Sequence, residues 1–233
     1  MCKPSHQEYK LYDLFAGLMV TIMITCDTLV YKIIDFYGFK LTASGIIFSM
    51  CYLISTITTE VYGYKKGVRI IWIMLLCQTF YVVAINSAAI VQRHNNEVAG
   101  HYHELFHEFW RVMVGTWISV PASYFCNSFV ISKLKIFFLG RLFIIRYMVS
   151  AMTAQAVLLI TAYPISLSGK YSFGELLNIL ASTWSYKVLI SFILFPIGIY
   201  LVGVVKKYEK TDFYDWGISY NPLKAFSEDK KLN

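Results

Sequence analysis

Several signatures of soluble enzymes are missing from this sequence of 233 residues. It contains no Gly-x-x-x-x-Gly-Lys-Ser/Thr loop, which argues against an intrinsic nucleotide-hydrolysing motor. No Ser or Cys stands in a pattern that indicates a nucleophilic enzyme. The five cysteines are widely spaced and mostly lie in apolar runs, so neither a disulfide framework nor a cysteine metal site is predicted. The chain also has no internal repeat and no low-complexity tract.

Charge is scarce as well. Only 15% of the residues are charged, whereas 57% are hydrophobic. The mean hydropathy is +0.54. Because this lies far above the composition of soluble proteins, we predict an integral membrane protein. The N-terminus shows no short apolar core followed by a small-residue cleavage site, so we expect the first apolar run to remain as a membrane helix.

Six apolar runs are long enough to cross a bilayer, which takes roughly 20 helical residues. We therefore predict an all-α protein with one membrane domain and six transmembrane helices. The predicted spans lie near residues 11–33, 41–61, 70–91, 109–131, 142–165 and 176–205, and a tail of residues 206–233 follows. Pro196 and Gly198 interrupt the last span and predict a kink there.

The cations predict the orientation of the chain. The formal net charge is +7, but Lys and Arg form short clusters between apolar runs instead of a basic stripe, so we predict no nucleic-acid partner. If the spans alternate, 15 of the 21 cations lie on the side of both termini. The positive-inside rule then places both termini in the cytoplasm. The expected location is a bacterial inner membrane, with the lipid bilayer as partner.

Ionisable residues inside apolar runs are the first candidates for a site. Glu60 ends a membrane-length run, where a carboxylate is costly unless it faces a bundle interior, a cavity or a partner. Glu60 and Lys187 have opposite charges, so they either form an interior ion pair or contact a polar solute. Tyr62 and Trp184 nearby are typical of an interfacial belt, but their rings could also stack on a flat heteroaromatic solute.

A histidine motif supplies an alternative function. His103-Glu104-Leu105-Phe106-His107 matches His-Glu-x-x-His, which on a helix can hold zinc with the glutamate as base. No clear third-ligand motif follows, although Glu175 lies at a conceivable distance. A membrane zinc metalloprotease built on His103 and His107 is therefore the alternative to a transporter, and a polar outer loop is the simpler explanation of the same residues.

Residues 59–72, Thr-Glu-Val-Tyr-Gly-Tyr-Lys-Lys-Gly-Val-Arg-Ile-Ile-Trp, resemble the signature of the queuosine precursor transporter family, also called the vitamin-uptake transporter family. The resemblance continues in the family's order over most of the chain. It includes Arg111, residues 127–135, residues 146–150 with Gln155, residues 186–189 with Pro196, and residues 211–223. Two positions depart from it, because Thr56 and Leu158 stand where many members carry Asp.

The resemblance implies six helices arranged like the substrate-binding subunits of energy-coupling-factor vitamin transporters. It also implies uptake of 7-deazaguanine bases such as preQ0, preQ1 or queuine, which are precursors of the tRNA nucleoside queuosine. The expected protein is not an enzyme, needs no cofactor and is gradient-driven or facilitated, unless it is a solute-binding subunit of a larger transporter; a homo-oligomer is left open. The predicted substrate-binding residues are Glu60, Tyr62, Asn86, Arg111, Asn127, Arg146, Gln155, Trp184 and Lys187.

Overall fold

The computed structural model describes residues 9–29, 32–36, 39–91, 97–107, 109–167 and 172–226. These residues are almost entirely helical. The elements in chain order are α1 (Tyr12–Thr28), β1 (Ile33–Phe36), β2 (Phe39–Thr42), α2 (Ala43–Tyr62), α3 (Tyr64–Val91), α4 (Glu97–Phe106), α5 (Phe109–Phe137), α6 (Phe143–Leu167), α7 (Phe173–Glu209) and a short 3-10 turn (Pro222–Lys224). Each long helix therefore overlaps one of the predicted spans.

Four helices in the described part of the chain are long and apolar enough to cross a membrane. They are α2, α3 over Tyr64–Ile90, α6 over Phe143–Ala162, and α7. The chain is thus a nearly all-helical membrane protein. The helices α1, with 17 residues, and α5, with 29, also overlap predicted spans but do not meet the same criterion. The count of six spans stays a prediction.

A β-hairpin and a short helix fall mostly where loops were expected between the predicted spans. β1 and β2 form an antiparallel hairpin in which Ile33 lies opposite Thr42 and Phe36 opposite Phe39. α1 therefore ends at Thr28, before the predicted end of the first span. Residues 103–106 of the histidine motif form the end of a separate helix, α4, and His107 follows it. Short polar segments of this kind escape a search for long apolar runs, because hydropathy reports membrane depth and not local backbone conformation.

α7 is longer than its predicted span. It starts with a capping box in which Ser172 and Glu175 satisfy each other's backbone N–H groups. It then continues for 37 residues, and Pro196 lies inside it without ending it. A proline inside a transmembrane helix is tolerated when neighbouring groups satisfy the freed backbone. Lys206, which was predicted to lie in the tail, therefore lies in the last turn of α7.

The most enclosed of the candidate spans is α2, which has 82% of its apolar window buried. It packs against α1, α3, α5 and α7. Nevertheless, it carries buried polar side chains on successive turns, namely Ser49, Tyr52, Ser55, Thr56, Thr59 and Glu60. Buried polar groups are costly unless they are hydrogen-bonded. The partners of these side chains therefore define where the interior of the bundle is polar.

The bundle has two ends with different chemistry. Ser44, at the start of α2, lines a cavity together with Asp27 and Lys187. Glu60, at the other end of α2, meets Arg146 and Lys206. Ser44 and Glu60 are about 24 Å apart along the helix axis, given a rise of about 1.5 Å per residue. We call these the cavity end and the charged end.

Candidate functional site

At the cavity end, α1, α2, α5, α6 and α7 surround a cavity of about 250 Å³. Pockets for drug-sized ligands measure roughly 300–1,000 Å³, so this cavity fits a smaller molecule, of about the size of a nucleobase. Its wall is mostly apolar. The polar and aromatic exceptions include Cys26, Asp27, Phe48, Ser119, Tyr186 and Lys187. An apolar pocket with a few convergent polar groups is the usual form of a small-molecule site.

Asp27 supplies the acidic group of the cavity. It lies at the carboxyl end of α1 and is 5% exposed. One oxygen of its carboxylate accepts a hydrogen bond of 2.6 Å from Nε2 of Gln78, a buried residue of α3. An ionised carboxylate can accept about four hydrogen bonds, so Asp27 keeps capacity for N–H donors of a bound molecule. The hydrogen bond from Gln78 holds the carboxylate of Asp27 in one orientation.

Lys187 supplies the basic group. It is 8% exposed, and its ammonium lies 5.1 Å from the centroid of the Phe48 ring. This is the geometry of a cation–π contact, which is weaker than an ion pair. Among the residues that the structure describes, no carboxylate lies within 4.0 Å of the Lys187 ammonium. Asp27 and Lys187 are therefore an acidic and a basic group on the wall of one cavity that form no direct ion pair.

Glu60 lies instead in a closed network of charges. It is 1% exposed, and Arg146 donates to both of its carboxylate oxygens, at 2.5 and 3.2 Å. Lys206 lies 2.8 Å from one of them and Lys135 3.7 Å from the same one. The ion pair between Glu60 and Lys187, one of the two alternatives that the sequence left open, is not formed. Because α7 is continuous, Lys187 and Lys206 are about 28 Å apart along its axis, and only Lys206 reaches the end of α2.

Asp212 joins this network from the chain that follows α7. Lys135 donates to Asp212 at 2.5 Å and to the backbone carbonyls of Glu60 at 2.6 Å and Phe213 at 2.7 Å. Lys206 lies 2.9 Å from Asp212. Burial raises the pKa of Asp212, but the hydrogen bonds from the two lysines outweigh it, so the pKa lies below its ordinary value. We refer to Glu60, Lys135, Arg146, Lys206 and Asp212 as the Glu60 network.

The Glu60 network leaves Glu60 little to offer a solute. Both carboxylate oxygens are occupied by cations that belong to the protein. The expected role of Glu60 as an acceptor for ring N–H groups and the solute-binding role of Arg146 stay predictions, and in the structure these two side chains bind each other. Their arrangement ties α2, α6 and α7 together at the charged end. Removing the charge of Glu60, which is buried, would leave uncompensated buried cations.

Three further predicted residues hold helices together away from the cavity. Tyr62 donates to Glu209 at 3.1 Å. Asn86 donates to the carbonyls of Phe106 and His107 at 2.9 and 2.8 Å, and so fixes α4 on α3. Trp184 donates from its indole to the carbonyl of Met152 at 3.1 Å, which joins α7 to α6. None of the three lines the polar cavity.

Two predicted amides lie in the interior of the bundle. Asn127 donates to Ser55 and Thr56 at 3.2 and 3.1 Å, and Gln155 donates to Ser191 at 2.6 Å. In the described part of the chain, the amide oxygens of both residues have no hydrogen-bond partner. Arg111 belongs to the first turn of α5, but its side chain lies outside the described residues.

The two histidines of the motif bond to the backbone. His103 Nδ1 lies 2.8 Å from the carbonyl of Ala89, and His107 Nδ1 lies 2.9 Å from the carbonyl of His103. Their rings stack with centroids 4.8 Å apart. A catalytic zinc site requires three protein ligands. No group of three His, Cys, Asp or Glu side chains in the described segments could hold a metal ion, so the metalloprotease alternative receives no support.

A larger cavity of about 680 Å³ does not compete with the polar one. It is lined by apolar residues of α1 and α3, including Leu76 and Phe80, which are mostly exposed. In a membrane protein such a groove on the outside of the bundle contacts lipid tails. Its walls offer little to a polar solute, and we therefore assign the site to the cavity with Asp27 and Lys187.

A protein-family model described as "Putative vitamin uptake transporter" matches residues 42–202, more than half of the chain. The chain belongs to this family. The matched region begins at α2 and includes Glu60, Arg146 and Lys187, whereas Asp27 precedes it. Membership of this family, together with the apolar helices, indicates that the protein is a membrane transporter. No curated protein and no solved structure matches the chain.

Proposed function

We propose that this protein imports a 7-deazaguanine precursor of queuosine across the bacterial inner membrane, and that the base binds in the cavity between Asp27 and Lys187. The observation that carries the proposal is that an acidic and a basic side chain line one small cavity without a direct ion pair between them. A 7-deazaguanine base presents N–H donors beside a carbonyl oxygen on one edge. A carboxylate accepts from such donors and an ammonium donates to such an oxygen.

The aromatic floor of the cavity supports a flat solute. Phe48 packs edge-on against Tyr52 and Tyr124, with ring centroids 5.6 and 6.0 Å away. Tyr52 and Tyr124 are themselves stacked, with centroids 4.7 Å apart and 9° between the planes. Tyr52 and Tyr124 are buried, and rings packed against one another in this way provide a rigid surface. A planar heterocycle gains favourable contact with such a surface without a large loss of side-chain entropy.

The charge distribution supports import. Lys135, Arg146 and Lys206 lie together at the charged end. The positive-inside rule makes this the cytoplasmic end. The cavity then faces the outside, where a solute to be imported arrives. This orientation corresponds to six spans with both termini in the cytoplasm. In this arrangement α1 and α5 also cross the membrane, beside the four candidate spans. Since the chain has no nucleotide-binding loop, we propose that uptake is gradient-driven or facilitated, unless another subunit of a larger transporter supplies the energy.

Uptake of labelled preQ0, preQ1 and queuine by bacteria that cannot make these bases tests the proposal. We expect uptake of at least one base above the empty-vector level. Asp27→Asn should abolish most of it, whereas Asp13→Asn, an exposed carboxylate on the same helix, should not. Immunoblots of membrane fractions control for insertion. Vector-level uptake of all three bases by correctly inserted protein would refute the proposal.

A further inference from the structure

We propose that the solute leaves the cavity along a polar seam between α2 and α5, and that the Glu60 network closes the cytoplasmic end of this path. The polar seam comprises Tyr52, Ser55, Thr56 and Thr59 of α2 with Ser123, Asn127 and Ser128 of α5. The direction of transport rests on the proposed function. The seam itself does not depend on which solute is carried.

Hydrogen bonds join the two helices on successive turns. The hydroxyls of Tyr52 and Ser123 bond to each other nearest the cavity. Asn127 follows one turn later and contacts both Ser55 and Thr56. The last step pairs Thr59 with Ser128 at 3.0 Å. The next residue of α2 is Glu60, so the seam runs from Tyr52, one turn beyond the cavity residue Phe48, to the Glu60 network.

The side chains of the seam are buried to an unusual degree. Each of the seven is at most 2% exposed. Elsewhere α2 contributes apolar residues such as Ile57 and Val61 to the core. Polar residues inside a membrane bundle are expensive, and they commonly mark the path of a substrate or an ion.

Helix adhesion is the simpler explanation of such residues, since polar side chains also hold membrane helices together. One observation goes beyond it. Asn127 is fully buried, and its amide oxygen has no partner among the residues described. A buried acceptor without a donor is uncommon in proteins and adds nothing to helix adhesion. A passing solute with N–H donors would use that acceptor in the middle of the path.

The segment after α7 covers the cytoplasmic end of the seam. The N–H of Phe213 donates to the carbonyl of Val61 at 3.1 Å. The carboxylate of Asp215 accepts the N–H of Tyr64 at 3.0 Å and the hydroxyl of Ser132 at 2.5 Å. This segment therefore connects the ends of α2, α3 and α5. Asp212, bound to Lys135 and Lys206, fastens it to the Glu60 network.

Opening the path toward the cytoplasm then requires Asp212 to leave its two lysines. Asp212→Asn removes the charge while it keeps the shape of the side chain. The loss of one charged hydrogen bond changes an equilibrium by about tenfold or more. We therefore expect Asp212→Asn to populate a state that is open to the cytoplasm, in a protein that still folds.

Thiol labelling in inverted membrane vesicles tests this expectation. In a protein whose native cysteines are replaced by alanine, Ser128→Cys reports on the seam. Ser150→Cys is the matched control, because Ser150 is equally buried on α6 but bonds to the carbonyl of Tyr147 in its own helix. A small charged thiol reagent enters from the cytoplasmic side. Adding Asp212→Asn should speed the labelling of Ser128→Cys by about tenfold and leave Ser150→Cys unchanged.

Equal labelling rates with and without Asp212→Asn, or the same increase at Ser128→Cys and Ser150→Cys, would refute the proposal that the solute moves along the seam. If Ser128→Cys does not insert into the membrane, Ser123→Cys takes its place with the same expected result. At least one of preQ0, preQ1 and queuine, added to the vesicles, should slow the labelling of the seam position. Faster labelling that none of the three bases slows would support the seam and refute the proposed solute, so the two failures are distinguishable.

Discussion

Arg146 holds Glu60 by both carboxylate oxygens, and both side chains are about 1% exposed. This bidentate pair joins the end of α2 to the start of α6. Because Lys206 donates to the same carboxylate, α7 is attached at the same point. The carboxylate of Glu60, which the sequence marks as a candidate ligand contact, is thus bound by cations of the protein itself. The solute site that we propose lies at the other end of the bundle.

Glu60→Gln should lower the free energy of unfolding by about 3–5 kcal/mol, since it leaves buried cations uncompensated. Glu60→Gln with Arg146→Met should cost less than the sum of the two single changes. Glu60→Gln with Lys187→Met should be additive, because the two sites are far apart. Thermal unfolding in detergent measures all of these variants. Additivity for the Arg146 pair, or coupling for the Lys187 pair, would contradict the described network.

Lys187→Met should separate stability from transport. Lys187 is a buried cation without a carboxylate within 4.0 Å in the described residues, so its removal should leave stability unchanged or higher. Uptake should fall by about tenfold or more, because the carbonyl oxygen of the solute loses a charged donor. Lys207→Met, an exposed change on the same helix, should alter neither property. Strong destabilisation by Lys187→Met alone would show that Lys187 has a structural role.

His103→Ala combined with His107→Ala should leave uptake largely intact. The two rings bond to backbone carbonyls around α4 and lie outside the polar cavity. Uptake assays with metal analysis of the purified protein check this expectation. Stoichiometric zinc in the wild type, together with loss of activity in the double variant, would revive the metalloenzyme alternative.

Gly63→Ala should loosen the segment after α7. Gly63 has φ +87°, a conformation that costs other residues about 1–3 kcal/mol. A Cβ there would also meet the Phe213 ring and, at 2.8 Å, the Asp215 carboxylate. Gly17→Ala is the control, since nothing lies within 4 Å of its added Cβ. Limited proteolysis should cut after α7 faster in Gly63→Ala only, and equal cleavage of the two variants would contradict the packing of this segment.

The sequence reveals the fold class because long apolar runs leave a direct trace in composition. It also singles out Glu60, since a carboxylate at the end of such a run is conspicuous. The partners of Glu60 cannot be read in the same way. Whether Lys187 or Lys206 reaches it depends on how far α7 continues past Pro196, which is decided by packing and not by local sequence.

Asp27 shows a different limit of sequence reasoning. It gives the same signal as Glu60, a carboxylate in an apolar run, and so the residue itself is recognisable. Asp27 matters because it lines the same cavity as Lys187. The sequence does not show this, because α1 and α7 are far apart in the chain. Gln78 gives even less signal, because a glutamine in a membrane helix has many interfacial or structural explanations. Only the three-dimensional arrangement connects these residues.

Equilibrium dialysis of the purified protein against labelled preQ0, preQ1 and queuine is the most direct test that the cavity between Asp27 and Lys187 is the solute site. We predict saturable binding of at least one base. Asp27→Asn should weaken it by about tenfold to a hundredfold, the range expected for one charged hydrogen bond, and Asp13→Asn should bind as the wild type does. Equal binding by the wild type and Asp27→Asn, with both proteins folded, would contradict the account.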